Sequence, residues 1–177
     1  VAAYRVRMST STLRIDDFDA QAPWLSVRGN YEMHAQRPLR LAGDLQGSVQ
    51  APQGVPLHLR AKLAGTLDEL VLEAQLKEPD VANVRAVLTR PNDSWRITGR
   101  VASPSLGLDG VMKKPPFRFE DVALRFEVDP EQIRTNGALA IPGVGPLLAD
   151  ATGRFAAKRL TVARAEVRAR GSTARVL

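Results

Sequence analysis

Aliphatic residues recur at every second position in several stretches of this chain. In VPLHLRAKLA (55–64), Val55, Leu57 and Leu59 alternate with polar or small residues. The same alternation occurs in LRLAGDLQGSV (39–49), LVLEAQL (70–76) and VALRFEV (122–128). Because successive side chains of a β-strand point to opposite faces, a period of two predicts strands with one apolar face. The chain is therefore predicted to be all-β.

Four segments share a tandem form: a polar or charged lead, a short alternating strand, a polar turn and a second strand-like stretch. They begin at about residues 11, 68, 120 and 158, and their first apolar residues are Leu13, Leu70, Val122 and Leu160. These residues are separated by 57, 52 and 38 positions. Unequal spacing predicts hairpins with variable loops rather than a strict solenoid. Residues 1–177 are thus interpreted as a single segment of an extended, repetitive β-sheet protein.

Further strands are predicted at 39–49, 55–65, 83–88 and 95–103. Residues typical of turns separate the strands at 51–56, 90–94, 113–116 and 141–146. Strands at such close intervals predict an antiparallel meander. Glycines 43, 47, 65, 99 and 153 lie inside or at the edges of strands, where glycine commonly marks a bulge, a bend or a close backbone approach. A curved sheet is therefore expected.

The stretch from 155 to 170 fits two structures. Its alanines and arginines are good helix formers, and Leu160, Ala163 and Val167 would share one face of a basic amphipathic helix. Leu160 and Val162, followed after a change of parity by Ala165 and Val167, equally fit a bulged strand. The match of this stretch to the beginning of the other three segments favours the strand.

Composition narrows the kind of surface that the sheet presents. Hydrophobic residues make up 44% of the 177 residues but aromatic residues only 5%, so the apolar face is built from Leu, Val and Ala. The chain has no cysteine, which excludes disulfides and thiolate chemistry. It contains neither a transmembrane run nor a signal peptide, so an anchor or export signal is expected outside this piece. The net charge of +6 favours acidic partners.

Candidate catalytic and metal-binding residues are sparse. His34 and His58 are the only histidines, and His58 lies on the polar side of an alternating strand, which is typical of a solvated histidine. Asp16, Asp17 and Asp19 lack the glycine and the final glutamate of a calcium loop, so a charged strand end or turn is expected there. We predict no enzyme activity, no metal site and no cofactor.

Glycine and serine motifs support no enzyme site either. The run GVGP (143–146) lacks the third glycine, the lysine and the following helix of a phosphate-binding loop, and it is interpreted as a turn. None of the serines lies in a nucleophile-elbow sequence.

Nucleic-acid binding is not expected. Lys113 and Lys114 form the only compact basic pair, and the few aromatic residues are scattered rather than placed for base stacking. The arginines are interpreted as spread over a solvated face opposite the aliphatic one.

Three runs carry a resemblance to a known family: PLRLAGDLQGSVQAP (38–52), PLHLRAKLAGTLDELVLEAQLKEPDVANVRAVL (56–88) and SWRITGRVASPSL (94–106). Their marks are Gly43 and Gly47 around an alternating strand, the hairpin at 65–70, and the closing sequence WRITG at 95–99. The chain resembles the TamB family, the inner-membrane component of the translocation and assembly module, within the AsmA-like group. The resemblance covers most of the chain and is strongest over 38–108.

The resemblance implies a fold, a location and partners. Family members span the periplasm of Gram-negative bacteria from an N-terminal inner-membrane anchor, as a long curled sheet with a hydrophobic groove. It implies phospholipid acyl chains as cargo, an Omp85-type outer-membrane barrel protein as partner, and nascent outer-membrane proteins as further partners. This chain would be an interior, periplasmic piece that serves phospholipid transport, outer-membrane protein assembly, or both.

Two architectures remain open on the residues alone. Alternating strands often pack face to face as a sandwich with a dry core, which would make the chain a structural or interaction module, such as an adhesin or scaffold. The family resemblance favours an extended curled antiparallel sheet with an open hydrophobic trough. The residues predicted to line that trough are Leu39, Leu41, Leu45, Val55, Leu57, Leu59, Leu63, Leu70, Leu72, Leu76, Val84, Leu88, Ile97, Val101, Val122, Leu124, Phe126, Val128, Leu139, Leu160 and Val162.

Overall fold

A computed structural model describes residues 2–22, 25–50, 56–78, 80–91, 94–107, 117–156, 159–169 and 172–176. These residues form one antiparallel sheet of 13 strands, and the order of the strands in the sheet is their order in the chain. The strands are β1 (Ala2–Met8), β2 (Thr12–Ala22), β3 (Leu25–His34), β4 (Arg40–Gln50), β5 (Pro56–Thr66), β6 (Glu69–Glu78), β7 (Ala82–Thr89), β8 (Arg96–Leu106), β9 (Phe119–Val128), β10 (Gln132–Ile141), β11 (Gly145–Ala156), β12 (Arg159–Ala169) and β13 (Ser172–Val176).

The sheet is a single open layer. Among the described residues, the elements in close contact are neighbours in the chain, and no second layer packs on either face. The predicted extended antiparallel sheet is confirmed, and its curl is weak. The closed sandwich is not the architecture of the described chain.

The strands predicted from alternation agree closely with those observed. The four predicted at 39–49, 55–65, 83–88 and 95–103 correspond to β4, β5, β7 and β8. The predicted turn at 141–146 is a tight hairpin connection in which the Val144 N–H donates to the Ile141 carbonyl at 3.0 Å. Most of the turns expected at 51–56 and 113–116, and the middle of the one at 90–94, lie outside the described residues. The proposed repeat starts fall at the beginnings of β2, β6, β9 and β12, and the repeat itself stays a prediction.

The described residues of the stretch at 155–170 form strand and not helix. It contains the end of β11 and the whole of β12. In the register, Thr152 pairs with Arg164 and Gly153 pairs with Val162, so Ala163 is the extra residue of a bulge. This bulge accounts for the change of parity in the sequence.

The acidic cluster near residue 17 lies in the middle of a strand, so the expectation of a strand end or turn was wrong. A bulge in β2 places Asp16 and Asp17 in succession between Ile15 and Phe18, and Asp17 has a φ of 52°. Asp16 is buried, and its carboxylate lies 2.7 Å from the Arg14 Nε and 3.2 Å from the Arg7 Nε. The bulge accommodates one extra residue in β2, which breaks the two-residue alternation there.

Asp129 closes the turn between β9 and β10. Its Oδ1 accepts the backbone N–H groups of Glu131 and Gln132, each at 2.9 Å. The bond from Glu131 contributes most to a lowered pKa of the Asp129 carboxyl. Because this pKa is lowered, the bonds stabilise the turn above the ordinary pKa of aspartate and are lost as pH falls through the lowered value.

Asp80 fastens the ends of the connection between β8 and β9. It lies in the turn after β6, and its side chain is only 5% exposed. One oxygen accepts the Gly107 N–H at 2.6 Å, and the other is bonded to the Arg118 guanidinium. The Ser103 hydroxyl donates to the Val81 carbonyl oxygen at 2.7 Å in the same corner. A side chain between β6 and β7 thus fixes where the chain leaves β8 and where it approaches β9.

We expect Gly65→Ala to destabilise the sheet. Gly65 has a φ of +146°, and a Cβ there would overlap the Glu69 carbonyl oxygen across the hairpin. The strained backbone should lower the free energy of unfolding by about 1–3 kcal/mol in urea denaturation. Gly43→Ala is the control. Gly43 has an ordinary backbone conformation, and a Cβ there would lie 3.0 Å from the Asn30 carbonyl oxygen. Equal losses in the two variants would contradict this account.

Asp80→Ala is expected to lower the free energy of unfolding by about 1–3 kcal/mol, because it leaves the Gly107 N–H without its acceptor in a partly buried corner. The matched control is Asp44→Ala, which removes an exposed aspartate whose carboxylate lies 4.0 Å from Lys62. This variant should lose less than about 1 kcal/mol of unfolding free energy. Urea denaturation compares the two. A loss no larger in Asp80→Ala than in the control would show that the corner does not fasten the connection.

Candidate functional site: the two faces of the sheet

The register assigns each strand residue to one of two faces, because residues directly opposite each other in neighbouring strands point to the same side. One row of paired residues runs from Leu63 through Leu72, Ala86 and Gly99 to Phe126. We call the side that carries this row the apolar face. The row of Lys62, Glu73, Arg85, Arg100 and Arg125 points the other way, and we call that side the polar face.

The predicted trough residues that lie in described strands all belong to the apolar face, by direct pairing or by their parity along a strand. Leu39 lies in the turn just before β4, Val55 lies outside the described residues, and for Leu160 only the backbone is described. The structure therefore brings these residues onto one surface, while their contact with lipid stays a prediction.

Several apolar-face residues were missed from sequence. They lie in the first three strands and near the other end of the sheet: Leu13, Ile15, Phe18, Val27, Tyr31, Met33, Ile133, Leu147 and Val167. In β2 the bulge breaks the alternation, because Ile15 and Phe18 are three positions apart yet share a face. The alternation was present on either side of the bulge and could have revealed them.

The apolar face is only partly shielded from water. Leu41, Ala61, Ala86, Val122 and Leu147 are buried, but most of its other side chains are half-exposed. They are covered by neighbours in the same sheet and by nothing above it in the described chain. Burial on this face nevertheless raises the pKa of the Tyr31 phenol. The face is thus partly desolvated without a covering layer.

Glycines shape the apolar face. Every glycine in a described strand belongs to it by register or parity: Gly29, Gly43, Gly47, Gly65, Gly99, Gly137, Gly145 and Gly153. At Gly99 the ring of the opposite Phe126 occupies the space that a Cβ would need. The Phe126 ring therefore lies over Gly99, across the surface of the sheet.

A row of small residues runs along the middle of this face, across the strands. From β5 onward it contains Ala61, Ala74, Val84 and Val101, and beyond Leu124 it continues through Gly137 and Ala149. At β5 and β6 the rows on either side contain larger residues, namely Leu59, Leu63 and Leu72, whereas at β7 and β8 one of these rows contains Ala86 and Gly99. We call the row of small residues the lane, and it runs parallel to the long axis of the sheet.

A cleft with a volume of about 830 Å³ lies on the polar face. Its walls are two rows of polar-face side chains in β5–β9, and the residues between these rows form its floor. The walls contain Arg60, Lys62, Glu73, Gln75, Asn83, Arg85, Arg100, Ala102, Ala123 and Arg125.

Three arginines are aligned across neighbouring strands in this cleft. Arg85 pairs with Arg100 in the register, and Arg100 pairs with Arg125. We call these three residues the arginine row. Like charges directly opposite each other destabilise a sheet by about 0.2–1 kcal/mol per pair. The arginines of the described strands lie opposite the aliphatic face, as expected, and four of them, Arg60, Arg85, Arg100 and Arg125, line this cleft.

The other end of the polar face has a buried carboxylate. Glu166 is 2% exposed and lies between Arg164 and Arg168, both of which bond to it. The hydrogen bond from Arg168, at 2.8 Å, is the largest cause of a raised Arg168 pKa. This acid is neutralised on both sides, which favours a structural role.

Both histidines lie at exposed positions of the sheet. His34 is exposed and lies 3.0 Å from Glu32, and His58 is exposed on the polar face opposite Ser48. No cluster of potential metal ligands occurs among the described residues. In the same part of the chain, no helix is long and apolar enough to cross a membrane. Lys113 and Lys114 lie outside the described residues.

No protein-family model, curated protein or solved structure matches this chain. The resemblance to the TamB family therefore stays a prediction, and function has to be argued from the two faces.

Proposed function

We propose that this chain is a segment of a periplasmic conduit that shields the acyl chains of phospholipids on their way to the outer membrane. The observation that carries this proposal is the apolar face, which continues across all 13 strands without a covering layer in the described chain. Uncovered apolar surfaces of this extent in soluble proteins usually mark binding sites.

The size and chemistry of the face suit an acyl chain. Neighbouring strands lie about 4.8 Å apart, so the lane of small residues from β5 to β11 extends for roughly 30 Å along the sheet. An acyl chain laid against it would gain about 0.8 kcal/mol for each methylene removed from water. The walls are aliphatic and offer few polar contacts that would hold a chain at one position. Such a surface favours sliding of a lipid over tight binding.

The cellular setting of the proposal rests on the resemblance to the TamB family. On that basis the chain is the periplasmic part of an inner-membrane-anchored protein and acts with an Omp85-type outer-membrane barrel protein. Both ends of the described sheet, β1 and β13, are open edges. An open edge can extend by strand addition, which supports continuation of the groove into adjoining segments and a second role in the assembly of nascent outer-membrane proteins.

Photo-crosslinking tests the cargo. A photoreactive residue at Leu59, Leu72 or Leu124 should form phospholipid adducts in Gram-negative cells, because these side chains lie on the apolar face. The same residue at Arg60 or Glu73, one position away from Leu59 or Leu72 and on the polar face, is the matched control and should form few. Mass spectrometry identifies the adducts. Adducts with proteins alone, or equal lipid yields on the two faces, would contradict the proposal.

A charge on the apolar face should block the lane. Leu72→Asp is expected to reduce lipid crosslinking from the facing position Leu63 several-fold, because an acyl chain would have to cover a carboxylate. Gln75→Asp adds the same charge to the same strand on the polar face and should leave the yield unchanged. Circular dichroism verifies that both variants remain folded. Undiminished crosslinking in folded Leu72→Asp protein would refute the lane as the lipid path.

A further inference from the structure

The polar face has an excess of positive charge in one place. The cleft in β5–β9 is lined by five basic residues and one acidic residue, which gives it a formal charge of +4. Arg60, Lys62 and the arginine row supply the positive charge, and Glu73 is the acid. The cleft is therefore strongly cationic.

The charges in the cleft are unequally neutralised. Lys62 lies 4.0 Å from Asp44, and the Arg85 Nε lies 3.7 Å from Glu73. Within the described part of the chain, Arg100 and Arg125 form no ion pair with a carboxylate. Both are exposed toward the cleft, directly opposite each other. Two adjacent guanidinium groups thus repel each other, and an anion between them would turn the repulsion into attraction.

The residues around the arginine row leave room for such an anion. Beside Arg100 and Arg125 the next row contains Ala102 and Ala123, whose methyl groups are too short to fill the space. Farther along the same row, Gln75 and Asn83 add amide groups that can donate hydrogen bonds. The volume of about 830 Å³ lies within the usual range for small-molecule sites.

We propose that this cleft binds a soluble ligand that carries two linked phosphate groups. Guanidinium groups bind phosphate oxygens bidentately. A single phosphate reaches at most two neighbouring strands, whereas two linked phosphates can contact all three arginines of the row. No aromatic residue lines the cleft, so it offers no platform for stacking bases. The site lies on the face opposite the proposed lipid lane and does not depend on it.

Calorimetric titration with inorganic pyrophosphate tests the proposal. At constant ionic strength the chain should bind pyrophosphate more tightly than orthophosphate. Arg100→Gln and Arg125→Gln should each raise the Kd for pyrophosphate by about tenfold or more, because each removes a charge-assisted contact. Arg154→Gln is the matched control: it removes an exposed arginine from β11, outside the cleft, and should change the Kd less than twofold.

Three results would overturn the proposal. Equal weakening in Arg154→Gln would show that only overall charge matters. Orthophosphate binding as tight as pyrophosphate binding would exclude the two-phosphate requirement. Binding of phosphatidic-acid vesicles or a single-stranded oligonucleotide through the same arginines, without pyrophosphate binding, would assign the cleft to a membrane surface or a nucleic acid. Each leaves the crosslinking test of the apolar face unaffected.

Discussion

Each strand of this sheet is hydrogen-bonded to the strand before it and the strand after it in the chain, and this pairing fixes which side chains share a face. The rest of the molecule depends on that register. A shift of one residue in any hairpin would move leucines to the polar face and arginines to the apolar face. The bulges in β2 and β12 preserve the register where the sequence contains an extra residue. The separation of the two faces is therefore a property of the whole ladder.

A single-layer sheet has an unusual problem of stability, because it has no opposing layer to bury its apolar side chains. Here neighbours within the sheet cover one another, and glycines such as Gly99 let large side chains such as Phe126 lie flat. Most of the apolar residues still keep part of their surface in water. Contact with an acyl chain would supply the missing layer, so the feature that leaves the sheet incomplete is also the one that suits it to lipid.

The period of two in the sequence was sufficient to predict the strands, the meander and most of the large apolar-face residues from β4 to β9. It failed where parity changes inside a strand, as at Asp16 and Asp17, because alternation alone does not locate a bulge. The period of two could not predict the cleft, for a different reason. Arg85, Arg100 and Arg125 are 15 and 25 residues apart in the chain, and their alignment depends on the register of two hairpins. The sequence contains each arginine on an exposed strand position but gives no direct sign that they meet.

The central claim is that lipid covers one face of this sheet and leaves the other in water. Spin labels placed singly along β6 test it directly, because this strand alternates between the two faces. The account predicts that phospholipid shifts labels to a less polar environment on the apolar face only, at Leu70, Leu72 and Leu76 but not at Val71, Glu73 and Gln75. A response with a period of two would support the claim. An equal response at all six positions, or none at any, would contradict it.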